Sequence, residues 1–359
     1  MQVLALASYP VESAATRFRV EQLLPALATR GVDVDLVPFL DTAGYQALYD
    51  RRRLPDTAAA FGRGVARRLR DLWTARRYDA VLVQREAMLA GPPVFEALLT
   101  GIGRTPMVLD LDDATWIGYD SPTYGRLARF AKWPTKALGL IDRAAVVTCG
   151  SSAIVAFVEG RGAIARLVPP AVDTELFLPR PSSTDGDLLV GWIGTHSTWP
   201  YLEPLLATLR SLGDDVSFRL RIIGARQSRI EAGPVAVENV AWSRDREPAD
   251  FASLDVGLYP LKDDEWARGK SGLKSVQYLA SGVPFVASPV GGAGQIGDPG
   301  VTHLVASTDG EWREAVRRLL TDHQLRRRMG RAGREHALAH HTVNHAADSM
   351  ANALREALG

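Results

Sequence analysis

The chain has 359 residues and a single cysteine, Cys149, so no disulfide can close within it and a reducing compartment is permitted. It lacks any run approaching the ~20 consecutive apolar residues that span a bilayer. Its opening, "MQVLALASYP", has no basic n-region and too short an apolar stretch for a secretion signal. A soluble, cytoplasmic chain is the expectation. Net charge is only +1 at pH 7, which removes any global electrostatic reason to expect nucleic acid. Lysine is scarce. Lys132, Lys136, Lys262, Lys270 and Lys274 are all there are among 42 basic residues, and the rest are arginine. The crowding between Lys262 and Lys274 is either chance or chemistry.

What is plentiful is apolar sequence: 46% of residues are hydrophobic, enough for two ordinary domains with their own cores. Short runs rich in Val, Ile and Leu alternate with helix-period segments. "VLALAS" precedes a helical "RFRVEQLLPALATRG". Then come "VDVDLVPF", "AVLVQ", "PMVLDLD" and "AAVVTCG". A second series runs through "LLVGWIG", "FRLRIIG", "VAVENVAW", "VGLYP", "PFVAS" and "HLVAS". Continuous apolar strands separated by helices predict parallel sheets covered on both faces. The two series, split near "LPRPSSTDGD" (178–187), predict an α/β chain of two doubly wound, Rossmann-like domains. These would cover residues 1–178 and 179–340, with a helical end over 341–359. In "EWREAVRRLL", the residues Trp312, Ala315, Val316, Leu319 and Leu320 share one helical face.

Open parallel sheets bind ligands beyond the carboxyl ends of their strands. That rule singles out Ser8 and Tyr9, Gln84 to Glu86, Asp110 to Asp113 and Thr148 to Ser152 in the first half. In the second half it singles out Gly194 to Thr198, Gly224 to Arg226, Tyr259 onward and Ser288 onward. Two such sets facing each other would line a cleft. In "RGKSGLKSVQYLASGVPFVAS" (268–288), Lys270 and Lys274 sit among glycines where a helix begins. A helix N-terminus already carries partial positive charge and unpaired N–H groups, so two lysines there imply an anionic ligand.

Other motifs mislead. Gly292, Gly294 and Gly297 spell a dinucleotide fingerprint after a strand, but "DPG" at Asp298 stops the helix that such a site requires. Asp110 and Asp112 resemble the Asp-x-Asp of phosphatases or of metal-using transferases, in the wrong place for either plan. All seven histidines lie in the second half. The pairs His336/His340 and His341/His345 have i, i+4 spacing, which reads better as solvated helix faces than as a metal site. No metal ligand set is expected.

The chain resembles glycosyltransferase family 4, retaining enzymes of the GT-B fold, over nearly its whole length. "ARLVPPAVDTELFLPR" resembles the family's segment closing the first domain, with Val172, Asp173, Phe177 and Pro179 matching and Pro170 and Ala171 departing. "VGWIGTHST" resembles the first strand and loop of the second domain. "QYLASGVPFVASPVGGAGQI" resembles the family's Glu-Ala-Met-Ala-x-Gly-x-Pro-Val-Val-Ala stretch and its glycine-rich sequel. A subgroup with Gly-Lys-x-Gly-hydrophobic-Lys and a glutamine is nearest.

The resemblance implies an acceptor-side first domain and a nucleotide-sugar-binding second domain, with the last helix packing back on the first. It implies transfer of a sugar from a UDP- or GDP-linked donor to a hydroxyl, with no metal or other cofactor. The implied donor residues are Gly194, Thr195, His196, Trp242, Ser243, Gly269, Ser271, Gly272 and Gln277. The family usually has two glutamates eight residues apart. Gly269 and Gln277 stand at those positions, and Gln277 can still bond a ribose diol. The carboxylate contact to the sugar is therefore missing or comes from Asp263, Asp264 or Glu265. The loop after "GWIG" lacks the family's usual cations, so Lys270 and Lys274 are implied to stabilise the departing diphosphate.

Asp112 aligns with a family histidine at the donor sugar and is given a supporting catalytic role. Thr16, Arg17, Arg85, Glu86 and Asp113 are the acceptor-side candidates. Bland readings stand beside these: Ser13 or Thr16 as a helix cap, Arg17 and Arg19 as surface charges, Arg85 with Glu86 as an ion pair, and Asp113 as an N-cap. The segment Arg51 to Arg77 pairs nine arginines with an apolar stripe of Phe61, Val65, Leu69, Leu72 and Trp73. It reads as core contact beneath a solvated basic face, or as peripheral contact with the inner membrane face. The rivals to an enzyme are a non-catalytic sugar-nucleotide binder and a membrane-associated partner subunit of the same fold.

Overall fold

The computed structural model describes residues 1–101, 105–118, 133, 135–180 and 188–359. Lys132 and residues 181–187 of the expected linker lie outside that set. The chain forms two compact units, Met1–Pro170 with Val343–Gly359, and Ala171–Thr342.

The first unit holds a six-stranded sheet of β1 (Gln2–Ala7), β2 (Asp33–Pro38), β3 (Ala80–Gln84), β4 (Met107–Leu111), β5 (Val146–Cys149) and β6 (Ala165–Leu167) in the order β2-β1-β3-β4-β5-β6. The second holds β7 (Leu189–Ile193), β8 (Arg219–Ile223), β9 (Ala236–Val240), β10 (Val256–Tyr259), β11 (Phe285–Ala287) and β12 (Leu304–Val305) in the order β12-β11-β10-β7-β8-β9. All strand pairs are parallel. Each apolar run named from the sequence is a strand; β6 alone was unannounced, being three residues long with two of them exposed.

Central strands are buried along their whole length, as β3, β4 and β7 show, because helices cover both faces. Three of the four edge strands, β2, β6 and β9, carry a charged residue that discourages pairing with another chain; β12, Leu304–Val305, is only two residues long. Glu238 on β9 is bridged from β8 by Arg219 at 2.6 Å and Arg221 at 2.7 Å. The stretch "RFRVEQLLPALATRG" is not one helix. It breaks into Ala14–Arg19, a 3-10 turn Glu21–Leu23 and Leu24–Ala28, since Pro25 has no N–H to continue the ladder and suits a helix start.

The helix Leu54–Thr74 corrects the simple reading of the arginine segment. Phe61, Val65 and Leu72 pack against the core, but Leu69 and Trp73 are exposed. Arg68, expected on a solvated face, is fully buried. Its guanidinium bonds the carbonyls of Ala87 (2.7 Å), Ala7 (2.9 Å) and Val37 (3.1 Å) and pairs with Asp71 at 2.9 Å. It thus ties the helix to the carboxyl ends of β1 and β2 and to the loop after β3. Gly64 permits the approach, since a Cβ there would lie 2.7 Å from the Phe39 carbonyl oxygen.

The last helix, Val343–Glu356, buries Ala346, Ala347, Met350, Ala351, Ala353 and Leu354 in the first unit. Arg30 reaches Asp348 at 2.6 Å, and Arg166 forks onto Glu356 at 2.8 and 2.5 Å. His341 and His345 do not share a helix face, because the helix His323–His340 ends just before His341, which is buried. Among the described residues no helix is long and apolar enough to cross a membrane.

His303 is wholly buried, its ring stacked on Phe285 with centroids 4.8 Å apart and Nδ1 3.0 Å from Thr302 Oγ1. Burial pushes its pKa down to about 4. The unfolded chain takes up this proton near pH 6.5, so stability is complete above that pH and falls as pH drops towards 4. A shift of this size is worth on the order of 3 kcal/mol. Thermal unfolding of wild type should therefore weaken between pH 6.5 and 4.5, and His303→Gln should show a shallower decline; parallel slopes would refute the assignment.

Candidate functional site

Strand order reverses at two places, between β1 and β3 in the first sheet and between β7 and β10 in the second. Crevices beyond the carboxyl ends of strands at such points are where open α/β sheets bind ligands. Each sheet places a polar cluster there.

In the second unit, β10 leads through Tyr259 to a short helix, Glu265–Arg268, capped by Asp264, whose carboxylate accepts from the Ala267 N–H at 2.8 Å. Asp263 pairs with Arg268 at 2.7 Å. Two of the three carboxylates suggested for a sugar contact are therefore engaged locally.

The chain then passes Gly269, Lys270 and Ser271 to Gly272, the N-cap of the helix Leu273–Ala280, at φ 81°. A Cβ at Gly272 would lie 2.5 Å from the Gly292 carbonyl carbon, and one at Gly292 would lie 2.4 Å from the Ser271 carbonyl oxygen. The Gly292 N–H donates to the Lys270 carbonyl at 2.9 Å, and Ser275 Oγ donates to the Ala293 carbonyl at 2.9 Å. Two glycine turns thus press backbone to backbone and form a rigid ledge.

Lys270 and Lys274, both half-buried, stand on this ledge. Lys270 Nζ lies 5.5 Å from the Trp266 ring centroid and Lys274 Nζ 5.1 Å from that of Tyr259. Lys270 makes no ion pair among the described residues. Gln277 is 3% exposed and its Nε2 has no hydrogen-bond partner among the described residues. A buried amide donor without an acceptor costs free energy, so its position favours a ligand oxygen.

The neighbouring strand ends add to the cluster. After β7, Thr198 Oγ1 accepts from the Thr195 N–H at 3.0 Å and Thr195 Oγ1 lies 2.7 Å from Ser197 Oγ, fixing the loop that presents His196. Burial, then Arg226, lowers the pKa of His196, which favours its neutral form. Arg226, at the carboxyl end of β8, adopts φ 57°. The carboxyl-end rule singles out Gly224 to Arg226 without giving Arg226 a role; the loop after "GWIG" contains no cation, and the next strand delivers this one close enough to act on His196. After β9 comes Trp242, whose Cβ would touch a Cβ on Gly224 at 3.4 Å and whose indole Nε1 donates to Glu247 Oε1 at 3.2 Å. Ser243 follows it, half-buried. Arg85 and Arg226 are two of the three described non-glycine residues at positive φ, a strained state that gathers at functional sites.

In the first unit, Arg85 at φ 62° follows β3 and forks onto Asp112 at 2.5 and 2.7 Å, with Asp113 at 3.0 Å. Burial opposes ionisation of Asp112, but Arg85 outweighs it and, with Arg19, holds the carboxyl below its usual value. Arg19 forks onto Asp110 at 3.1 and 2.5 Å and donates to the Val168 carbonyl at 2.6 Å. Thr148 Oγ1 also reaches Asp110, at 2.7 Å.

Several bland readings fall here. Arg17 and Arg19 are buried rather than surface charges, and the Arg17 guanidinium sits 4.6 Å from the Phe18 ring centroid. Ser13 stands at the N-cap without a side-chain bond, while Thr16 Oγ1 donates to the Tyr9 carbonyl at 2.8 Å. Arg85 and Glu86 are not an ion pair; Glu86 lies 3.5 Å from the buried Lys136. No described helix begins at Asp113. No group of three or more possible metal-binding side chains occurs among the described residues.

A family profile described as glycosyl transferase-like matches residues 202–352. No curated protein is matched by the sequence. Among solved structures, Anabaena Alr3699/HepE in complex with UDP is similar with TM-score 0.72 and 18% identity over 99% of this chain and 100% of that one. Sucrose-phosphate synthase from Thermosynechococcus elongatus aligns with TM-score 0.69 and 16% identity, covering 99% and 98%. WaaG, a glycosyltransferase involved in lipopolysaccharide biosynthesis, aligns with TM-score 0.62 and 14% identity, covering 98% and 99%. These likenesses establish the GT-B fold.

Asp112→Asn leaves the Arg85 guanidinium without its main counter-charge. Breaking a buried pair in this way should cost ~3 kcal/mol of stability. Because the folded carboxyl titrates below its unfolded value, that contribution is constant from pH 5 to 8, starts to fall only below the unfolded value of ~4 and is lost as pH drops through the lower folded value. Denaturant midpoints for wild type and variant should differ at pH 7 and converge in acid; equal midpoints at pH 7 would refute the pairing.

Proposed function

We propose that the protein is a retaining, metal-independent glycosyltransferase that uses a nucleoside-diphosphate sugar. The observation that carries the reading is the glycine ledge at the β7/β10 switch point, bearing Lys270 and Lys274 at the start of the helix Leu273–Ala280. Anionic groups fit there, with backbone N–H groups and two cations converging.

In this reading the diphosphate lies against Gly269–Gly272, and the unpartnered Nε2 of Gln277 bonds a ribose hydroxyl. The exposed Trp242 offers a flat surface to the base. As the bond from the anomeric carbon to the phosphate oxygen breaks, the electron pair leaves with the diphosphate. Lys270 and Lys274 stabilise that charge. The acceptor oxygen bonds the anomeric carbon on the same face, and its proton passes to the departing phosphate oxygen. The Arg85–Asp112–Asp113 cluster is the proposed supporting and acceptor-side group. UDP and UDP-glucose are the ligands named for similar HepE structures, which makes UDP-sugars the first donors to test. A cytoplasmic setting is part of this reading, supported by the single cysteine, which permits a reducing compartment.

A thermal-shift screen with UDP- and GDP-sugars, followed by donor hydrolysis without acceptor, tests the proposal. Binding without turnover would favour the non-catalytic binder instead. Lys270→Ala and Lys274→Ala should each lower kcat/KM by ~10²-fold or more while staying within ~0.5 kcal/mol of wild-type stability. Activity should persist in EDTA. Full activity in both variants, or loss in EDTA reversed by magnesium, would overturn the assignment.

Arg226→Gly relieves a left-handed backbone that costs a non-glycine residue roughly 1–2 kcal/mol. It should leave stability unchanged or raised while weakening UDP binding measured by calorimetry. Reduced stability with unchanged affinity would make Arg226 a structural residue.

The helix Leu54–Thr74 favours, independently, peripheral contact with anionic lipid. Leu69 and Trp73 are 57% and 76% exposed and lie one turn apart, flanked by exposed Arg70, Arg76 and Arg77. Cosedimentation with phosphatidylglycerol vesicles should be released by salt and abolished by Leu69→Ala with Trp73→Ala. No pelleting at low salt would remove this contact.

A further inference from the structure

The second unit contains a cavity of about 390 Å³ at the amino ends of β10 and β11, the opposite edge of the sheet from the lysine ledge. Its wall is one face of the helix His323–His340, and its floor is the turn Ser281–Pro284 that enters β11. Five arginines and two carboxylates line it. Asp255 is already committed, accepting from the Leu189 N–H at 2.8 Å and from Arg180 at 3.3 Å. Glu335 is exposed.

The arginines outnumber their counter-charges, and two of them are tethered to neutral groups. Arg334 donates to the carbonyls of Phe177 (2.7 Å), Ala280 (2.7 Å) and Thr174 (2.9 Å). Arg326 donates to the carbonyls of Leu319 (2.6 Å) and Leu320 (2.9 Å). These bonds fix both guanidiniums through neutral carbonyls; no carboxylate offsets the burial of Arg334, and Asp255 and Asp322 offset that of Arg326 only in part. Burial lowers the pKa of each, the signature of cations held out of water without an adequate anion. Arg327 and Arg331, one turn apart and exposed, have no ion pair or hydrogen bond among the described residues. Ser281, 1% exposed, lines the same space, and its Oγ has no hydrogen-bond partner among the described residues.

We infer that this cavity binds a compact phosphate-bearing metabolite, with Arg327 and Arg331 closing on the phosphate and Ser281 Oγ bonding it from the floor. A volume of about 390 Å³ is at the small end for ligand cavities, which suits a phosphomonoester or a diphosphate. Guanidinium forks match phosphate oxygens in charge and in geometry. The site is separate from the donor site and does not depend on that reading. It sits at the carboxyl end of the helix Leu273–Ala280, whose amino end bears the two lysines.

Calorimetry with inorganic pyrophosphate tests the inference on the full chain. Because pyrophosphate can also occupy the lysine ledge, the titration is run on Lys270→Ala with Lys274→Ala, which removes that competitor whether or not the ledge binds a sugar nucleotide. Pyrophosphate should still bind, and adding Arg327→Ala with Arg331→Ala should weaken it by about tenfold or more. Arg327→Lys with Arg331→Lys should retain intermediate affinity, and Ser281→Ala should weaken binding without changing its salt dependence. Absence of binding in the doubly substituted background, or binding that is indifferent to both arginine changes in protein with wild-type unfolding midpoints, overturns it.

Discussion

Between Gly272 and Gly292 two backbones meet with no side chain between them, and a Cβ on either would strike the other's chain. The lysines depend on this contact. Gly272 takes a left-handed conformation that turns the chain into the helix Leu273–Ala280, so Lys270 precedes the turn and Lys274 follows it. A larger residue would push the two turns apart and separate the lysines from the strand end they serve. The far end of the same helix is held as firmly. Arg334 bonds the Ala280 carbonyl, and Gly330 lies against Gly282, where a Cβ would come 2.3 Å from the carbonyl oxygen. Under the proposed function these lysines act on a developing anion, and such a charge must not move as the reaction proceeds, which fixing both ends of the helix would achieve.

Arginine does structural work throughout the molecule. Arg68 collects the carbonyls at the ends of β1 and β2, Arg334 collects those around Ala280, and Arg19 joins Asp110 to Val168. A planar guanidinium has five donors in fixed directions, so one side chain can satisfy several carbonyls left over where strands and helices stop. Lysine has three donors on one atom and no fixed fork, so it spans less. The five lysines of the sequence were therefore informative through their rarity, although Lys136 is itself an internal brace, donating to the Met88 carbonyl at 2.5 Å.

Much of the fold was legible because the strands are short, apolar along their whole length and bounded by helical segments. A strand covered on both faces shows no alternation, and that is what "AVLVQ" and "LLVGWIG" display. The pieces that escaped were those with little burial to declare them. β6 exposes two of its three residues, and the first long helix broke at a proline inside an otherwise periodic run. The carboxyl-end rule singled out Arg85 and Asp112, but not that they bind each other: Arg85 pairs with Asp112 and Asp113, and Glu86 lies by Lys136. Ion pairs between residues twenty-seven apart, such as Arg85 with Asp112, depend on which strands lie side by side.

The sequence by itself determined the alternation of strands and helices, the two-sheet α/β class, and the presence of cations and glycines at one helix start. Each of these is a local property, set by periodicity, backbone freedom and residue type. Tertiary structure decided the rest. Strand order placed the reversal between β7 and β10 and so brought the loop after β7 beside Tyr259. Packing turned Arg68 inward, broke the His341/His345 pair at a helix end, and gathered five arginines around one cavity. Strand order and burial arise from the competition of all segments for one core, and no window of sequence contains that competition.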